Sequence, residues 1–291
     1  MIKELIKLIR PNQWIKNTII FAAVIFSKNF FNLLYLERAL IGFGIFCIAS
    51  GAVYIFNDIA DAEQDKKHPE KSKRPIASGK VSISIAYIYF SIMAVVALIL
   101  SYLYVNNHFG NVVLLYLITN ILYSLILKKI AILDVVVLSM NFVFRAIAGV
   151  YAIAPTLEFS TWLVICTFFL SLFIALSKRR GEIVLLEGRA EGHRRSLKDY
   201  SVKLLDEMIA VVTASTVMSY TLYTISSLTI QKFGTVNLVY TIPFVVFGIF
   251  RYLYLIHIQK AGGSPTRLVY KDKPLMINII LWVITAMVIL Y

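Results

Sequence analysis

A chain of 291 residues that is 59% hydrophobic, with mean hydropathy +0.78 and only 15% charged residues, carries more apolar surface than a soluble domain of this length can bury. Its net charge of +13 does not indicate nucleic acid, because the basic residues are scattered over short segments between apolar runs and not gathered on a soluble domain. The two cysteines, Cys47 and Cys166, both fall in apolar runs, which excludes a disulfide framework and a cysteine metal site.

Nine apolar runs predict membrane spans, at 14–34, 37–57, 82–104, 110–127, 132–153, 160–177, 204–229, 236–257 and 274–291. The expected fold class is therefore all-α, a polytopic membrane protein of nine transmembrane helices forming one domain over 1–291. No cleavable signal peptide is read at the start, since Lys16 and Lys28 interrupt the first run and no small-residue cleavage site follows. Of the 29 Lys and Arg residues, 25 fall on the N-terminal side of the spans. Only Lys28, Arg38 and Lys232 fall on the other side, and Arg145 lies inside a span. By the positive-inside rule the N-terminus and the richer loops face the cytoplasm and the C-terminus lies outside. The excess charge also favours anionic lipid.

Along the chain, Gln13-Trp14-Ile15-Lys16-Asn17 reads by itself as an interfacial aromatic beside a snorkelling lysine. The second span ends in Asn57-Asp58-Ile59-Ala60-Asp61-Ala62-Glu63-Gln64-Asp65. If the helix continues at about 100° per residue, Asn57, Asp58, Asp61 and Asp65 share an arc of roughly 100°. Three carboxylates on one face repel unless a cation sits among them. Oxygen donors of this kind suit Mg²⁺, which binds through one or two carboxylates, water and substrate phosphates. The plainer alternative is a solvated acidic helix end that Lys66 and Lys67 partly neutralise. Pro75 and Gly79 then break the chain before the third span. At the end of the fourth span, Tyr123 and Lys128 are ordinary interface residues by type. The fifth span places Asp134, Asn141 and Arg145 on one narrow stripe, and ionisable groups at membrane depth face one another or a polar cavity. Asp134 and Arg145 are about 16 Å apart along a helix, too far for a direct pair. The sixth span runs into Lys178-Arg179-Arg180-Gly181-Glu182, followed by Arg189, His193, Arg194, Arg195 and Lys198. His68, His108, His193 and His257 show no metal-ligand spacing. Rich loops after the second and sixth spans hint at two four-helix halves plus a ninth helix.

The N-D-x-x-D-x-x-x-D stretch after the second of nine spans resembles the UbiA superfamily of intramembrane prenyltransferases, and the resemblance covers nearly the whole chain. It implies a UbiA-like bundle with cytoplasmic cap loops, and Mg²⁺ held at Asn57, Asp58, Asp61 and Asp65. The superfamily's second acidic motif, D-x-x-x-D after the sixth span, has no match here. Its place is taken by Lys178, Arg179, Arg180 and Glu182, whose cations suit phosphate by charge and guanidinium fork. With Arg10-Pro11-Asn12-Gln13-Trp14-Ile15-Lys16-Asn17, His68-Pro69, Arg74-Pro75-Ile76-Ala77-Ser78-Gly79, Leu133-Asp134-Val135 and Arg145-Ala146-Ile147-Ala148-Gly149, this pattern is similar to the decaprenyl-phosphate phosphoribosyltransferase branch.

That resemblance implies transfer of 5-phosphoribose from phosphoribosyl diphosphate (PRPP) to a polyprenyl phosphate in the cytoplasmic membrane, for cell-envelope pentose donors. It makes Asp58, Asp61, Lys178 and Arg179 candidate catalytic residues. It makes Lys16, Arg74, Tyr123, Lys128, Asp134, Asn141, Arg145, Lys178, Arg179, Arg180 and Glu182 candidate substrate-binding residues. An aromatic prenyltransferase and a non-enzymatic lipid-phosphate carrier are the competing readings. The first lacks its second carboxylate set, and the second leaves the acidic face unexplained.

The charge asymmetry makes a direct prediction. A reporter that works only outside the cytoplasm should be active when fused after Tyr291 and silent when fused within 183–193. The reverse pattern would overturn the orientation.

Overall fold

A computed structural model describes residues 2–67, 71–154, 160–185, 197, 199–259, 268 and 271–291. His68-Pro69, Arg189, His193, Arg194, Arg195 and Lys198 lie outside the described residues. The described residues form helices and turns, in two compact units, 1–159 and 160–291.

The first unit opens with a short helix, α1 (Ile2–Leu8), a 3₁₀ helix (Pro11–Phe21) and α2 (Ala22–Ile25). It continues with α3 (Leu33–Ala60), α4 (Ala62–Lys66), α5 (Ile83–Tyr104), α6 (Asn107–Leu125) and α7 (Leu133–Ile153). The second unit contains α8 (Thr161–Leu185), α9 (Val202–Ile225), α10 (Ser227–Phe233), a 3₁₀ turn (Asn237–Thr241), α11 (Ile242–His257) and α12 (Lys273–Leu290).

Among the described residues eight helices are long and apolar enough to cross a membrane, against nine predicted spans. The difference lies at the start. The run 14–34 does not form one α-helix. It is an 11-residue 3₁₀ helix followed by the four residues of α2, and then a turn in which Lys28 has φ 61°. A 3₁₀ helix rises about 2.0 Å per residue, so these two pieces together reach about 28 Å, close to the ~30 Å of a hydrocarbon core. The division between the two compact units falls after the fifth apolar run.

Local chemistry sets the helix starts. The side chains of Asn32, Ser82, Asn106, Ser201 and Asp272 each accept a hydrogen bond from a backbone N–H in the first turn of α3, α5, α6, α9 and α12. Such caps satisfy donors that lipid cannot. Packing then sorts the helices by exposure. α3 and α7 are the most enclosed of the first unit. α5 presents Ile88, Ile92, Val95, Ile99 and Leu103 outward at spacings of three and four, the stripe expected of a lipid-facing helix.

In the second unit, Asp272 both caps α12 and accepts two hydrogen bonds from Arg251 of α11, at 2.8 and 3.1 Å. The Arg251 hydrogen bond holds the Asp272 carboxyl below the usual carboxylate range. A depressed folded-state pKa contributes stability above the unfolded value, lost as pH falls through the folded value. Asp272→Ala should therefore lower the unfolding free energy by about 1 kcal/mol or more at neutral pH. The wild-type advantage should shrink below pH ~4. Equal losses at pH 3 and pH 7, measured by thermal unfolding in detergent, would contradict this account.

Candidate functional site

The acidic segment does not continue as one helix. α3 ends at Ala60, α4 starts at Ala62, and Asp61 lies between them with φ −98° and ψ 1°. Helical spacing survives the break, because Asp61 N–H donates to the Asn57 carbonyl at 3.0 Å and Asp65 N–H donates to the Asp61 carbonyl at 2.8 Å. Asp58 and Asp65 are thus two turns apart on one side, and both are buried, at 2% and 3% exposure.

Cations meet all three carboxylates. Arg74 Nη1 donates to Asp58 Oδ1 at 2.9 Å and to Asp65 Oδ2 at 2.6 Å, which straps the 71–80 segment across the helix end. Arg10 makes a second ion pair with Asp58, and Lys128 pairs with Asp61. Ser124 at the end of α6 donates to Asn57 Oδ1 at 3.4 Å. The solvated-end alternative fails for Asp58 and Asp65. Lys66 instead pairs with the exposed Glu63 at 2.6 Å.

The cluster is electrically balanced, with Asp58, Asp61 and Asp65 against Arg10, Arg74 and Lys128. Balance removes the repulsion among carboxylates and makes ionised groups tolerable beside an apolar body, so any ligand that draws one partner away must pair with the other. An arriving phosphate can take the cations, and an arriving divalent cation can take the carboxylates. Among the described residues no three His, Cys, Asp or Glu side chains form a ready-made metal cage. Mg²⁺ does not need one, since it binds through one or two carboxylates while keeping water and substrate phosphate as its other ligands. The hard oxygen donors of Asn57, Asp58, Asp61 and Asp65 fit that mode.

The remaining predicted residues fall into distinct places. Lys16 lies half-buried on the 3₁₀ helix. Tyr123 is buried near the end of α6, five residues before Lys128 in the turn that follows. Asp134 is fully buried at the start of α7, just after Ile132, a β-branched residue at φ 68°. Asn141 exchanges two hydrogen bonds with Asn120 of α6, at 2.7 and 3.1 Å. Arg145 donates to Asn17, to the Asn141 carbonyl and to Tyr116.

In the second unit the three consecutive cations part ways. Arg179 is 1% exposed and donates to Glu182 at 2.6 Å, and Lys178 approaches the same carboxylate at 3.7 Å. Arg180 turns to Asp206 on α9 at 2.5 Å and to the Ile256 carbonyl on α11 at 3.2 Å. Its guanidinium ties α8 to α9 and α11. His257 joins the same Asp206 at 3.2 Å.

Arg10 and Ser124 belong to the cluster and were not singled out as site residues from the sequence. Arg10 is 48 residues from Asp58, and by composition it is one more N-terminal cation. Its only sequence signal is its place at the head of the Arg10-Pro11-Asn12-Gln13-Trp14 block.

The UbiA prenyltransferase family matches residues 18–271. The chain belongs to that family. It is 30% identical to a decaprenyl-phosphate phosphoribosyltransferase of Mycolicibacterium smegmatis over 97% of this chain and 91% of that one. A decaprenyl-phosphate phosphoribosyltransferase of Corynebacterium glutamicum is also 30% identical, over 99% of this chain and 86% of its own length. In three dimensions the chain is similar to a UbiA homolog from Archaeoglobus fulgidus bound to GPP and Mg²⁺, with a TM-score of 0.72, 17% identity and 99% of each chain covered. Membership in the UbiA family, together with the apolar helices, makes this an integral membrane protein.

Removing the shared cation of this UbiA-family cluster tests its balance. Arg74→Ala should cost about 1.5–3 kcal/mol, because charged hydrogen bonds to two buried carboxylates are lost. Adding Asp65→Asn should recover part of that loss, since it removes one stranded charge. Losses that simply add in chemical unfolding would show that Asp65 and Arg74 are not coupled.

Proposed function

We propose that this protein transfers 5-phosphoribose from PRPP to a polyprenyl phosphate, releasing diphosphate. The observation that carries the reading is the pairing of every cluster carboxylate with a cation, in a chain where Lys178, Arg179 and Arg180 stand where the superfamily's second acidic motif is expected. A donor that bears a 5-phosphate beside its diphosphate, and an acceptor that is itself a phosphate, both need cations that a neutral aromatic acceptor does not. Full-length relatives named decaprenyl-phosphate phosphoribosyltransferases support the same choice.

The chemistry balances without a strong base. An oxygen of the lipid phosphate forms the new bond to ribose C1, the C1–diphosphate bond breaks, and its electron pair leaves on diphosphate. The acceptor oxygen is already anionic, so no proton must be removed first. Positive charge grows at C1 in an oxocarbenium-like state, as in glycosyl transfer generally. Mg²⁺ bound with the donor would neutralise the leaving diphosphate.

Asn57, Asp58, Asp61 and Asp65 would hold that ion. Arg10, Arg74 and Lys128, released from carboxylates, would turn to diphosphate oxygens. Lys178 and Arg179 are the second unit's candidates for phosphate, with Glu182 holding both until one is needed. Arg180 serves the packing of α8 on α9 and α11. Lys16 and Tyr123 remain candidate contacts for the lipid phosphate. Catalysis of this kind rests on positioning and electrostatics. A water-soluble donor fits a site on the cytoplasmic side of the cytoplasmic membrane, with the N-terminus inside and the C-terminus outside.

Purified protein supplied with ribose-labelled PRPP, Mg²⁺ and decaprenyl phosphate should move label into the organic phase. Asp61→Asn should reduce turnover by at least 100-fold, and EDTA should stop it reversibly. Geranyl diphosphate with an aromatic acid should give no product. A prenylated aromatic product, or full turnover in EDTA, would overturn the reading.

A further inference from the structure

The fifth-span arginine does something more specific than line a polar stripe. Arg145 is 4% exposed, and its donors go to Asn17 Oδ1 at 2.8 Å, the Asn141 carbonyl at 2.7 Å and the Tyr116 hydroxyl at 2.8 Å. None of those partners is charged. The guanidinium also lies over the Tyr116 ring, 4.9 Å from its centroid. A cation buried at membrane depth is costly, so its geometry serves some purpose.

The partner that matters is Asn17. It sits in the 3₁₀ helix, where residues three apart stack on one line, so Trp14, Asn17 and Ile20 form a single stripe. Asn17 and Ile20 are fully buried. Arg145 grips the first of these two, and Gly149, one turn further along α7, admits the second. A Cβ at Gly149 would stand 2.4 Å from the Ile20 carbonyl oxygen. The Asn17 amide in turn donates to Ser50 Oγ of α3 at 3.2 Å. Two independent contacts therefore clamp the 3₁₀ helix onto α7, and a third joins it to α3.

An 11-residue 3₁₀ helix needs such a clamp, because runs beyond three or four residues are uncommon. Relaxation to an α-helix would turn each residue by about 20° less and shorten the rise by about 0.5 Å per residue. Arg10 precedes Asn17 by seven residues. It would swing about 140° around the axis and shift by about 3.5 Å. As it stands, Arg10 has a left-handed backbone, φ 49° and ψ 66°, and no side-chain cap follows it. Its guanidinium lies 5.3 Å from the Tyr54 ring centroid and pairs with Asp58.

We propose that Arg145 is a positioning residue: through Asn17 it keeps segment 11–21 in the 3₁₀ form, and so keeps Arg10 on Asp58. Its kinetic consequence rests on the phosphoribosyl-transfer reading, while its structural consequence does not.

Both arms can be measured on the full chain in nanodiscs. Backbone hydrogen exchange over 11–21 should rise at least tenfold in Arg145→Gln and leave the middle of α5 unchanged. Arg10→Ala should leave exchange over 11–21 as it is. Unchanged exchange in Arg145→Gln overturns the proposal whatever the enzyme does. In the kinetic arm, Arg145→Gln and Arg10→Ala should each lower kcat/KM for PRPP at least tenfold, and the double variant should match Arg10→Ala alone within about twofold. Losses that multiply would mean Arg145 acts elsewhere and overturn the route through Arg10. Arg145→Lys keeps the charge but not the planar fork, and should restore only part of the activity. Should Arg145→Gln fail to fold, Gly149→Ala loosens the same clamp without touching the charge, and the same exchange increase and non-multiplying loss are required of it. Absence of PRPP transfer in the wild-type protein would sink the functional reading alone and leave the exchange arm intact.

Discussion

The end of α3 must keep three carboxylates beside an apolar body, and much of the first unit is arranged around that constraint. Ionised groups in such a place are stable only when paired. Arg74 answers for Asp58 and Asp65 together, Arg10 for Asp58 again, and Lys128 for Asp61. Each cation comes from a different segment. The 71–80 strap, the start of the 3₁₀ helix and the turn after α6 are thereby fixed to one point. The same pairs are those that the proposed reaction would exchange for a divalent ion and a diphosphate.

Below that point the interior uses a different device. Arg145 donates to Asn17, Tyr116 and the Asn141 carbonyl, and neutral hydrogen bonds join Asn17 to Ser50 and Asn120 to Asn141. Networks of this kind gain strength from the low local dielectric, which also makes any member left unpaired costly. Here the network fixes the position of a helix that would otherwise relax to a commoner form. Gly149 adds the close backbone approach that a side chain would forbid.

In the second unit two neighbouring arginines take different partners. Arg179 and Arg180 are adjacent, so on α8 they point about 100° apart. One is held by its own helix through Glu182, and the other by Asp206 of α9 and the Ile256 carbonyl of α11. The structural partner of Arg180 has the same residue type as the acids of the first unit.

Hydropathy determined the helical class, seven of the α-helical spans to within a few residues at most of their ends, and the membrane setting, because lipid leaves an apolar run of 20 residues only one way to satisfy its backbone. Beyond the sixth span helix α8 continues through its cations to Leu185, farther than the apolar run. The acidic face at Asn57, Asp58, Asp61 and Asp65 was legible too, because helical spacing is a local property that survives even the break at Asp61. The first span was not legible. Choosing 3₁₀ over α depends on Asn17 and Ile20 meeting Arg145 and Gly149, more than 100 residues away. The same holds for Arg10. A cation near the N-terminus looks like any other until folding brings it to Asp58, and the pairing of charges distant in sequence is decided by tertiary structure alone.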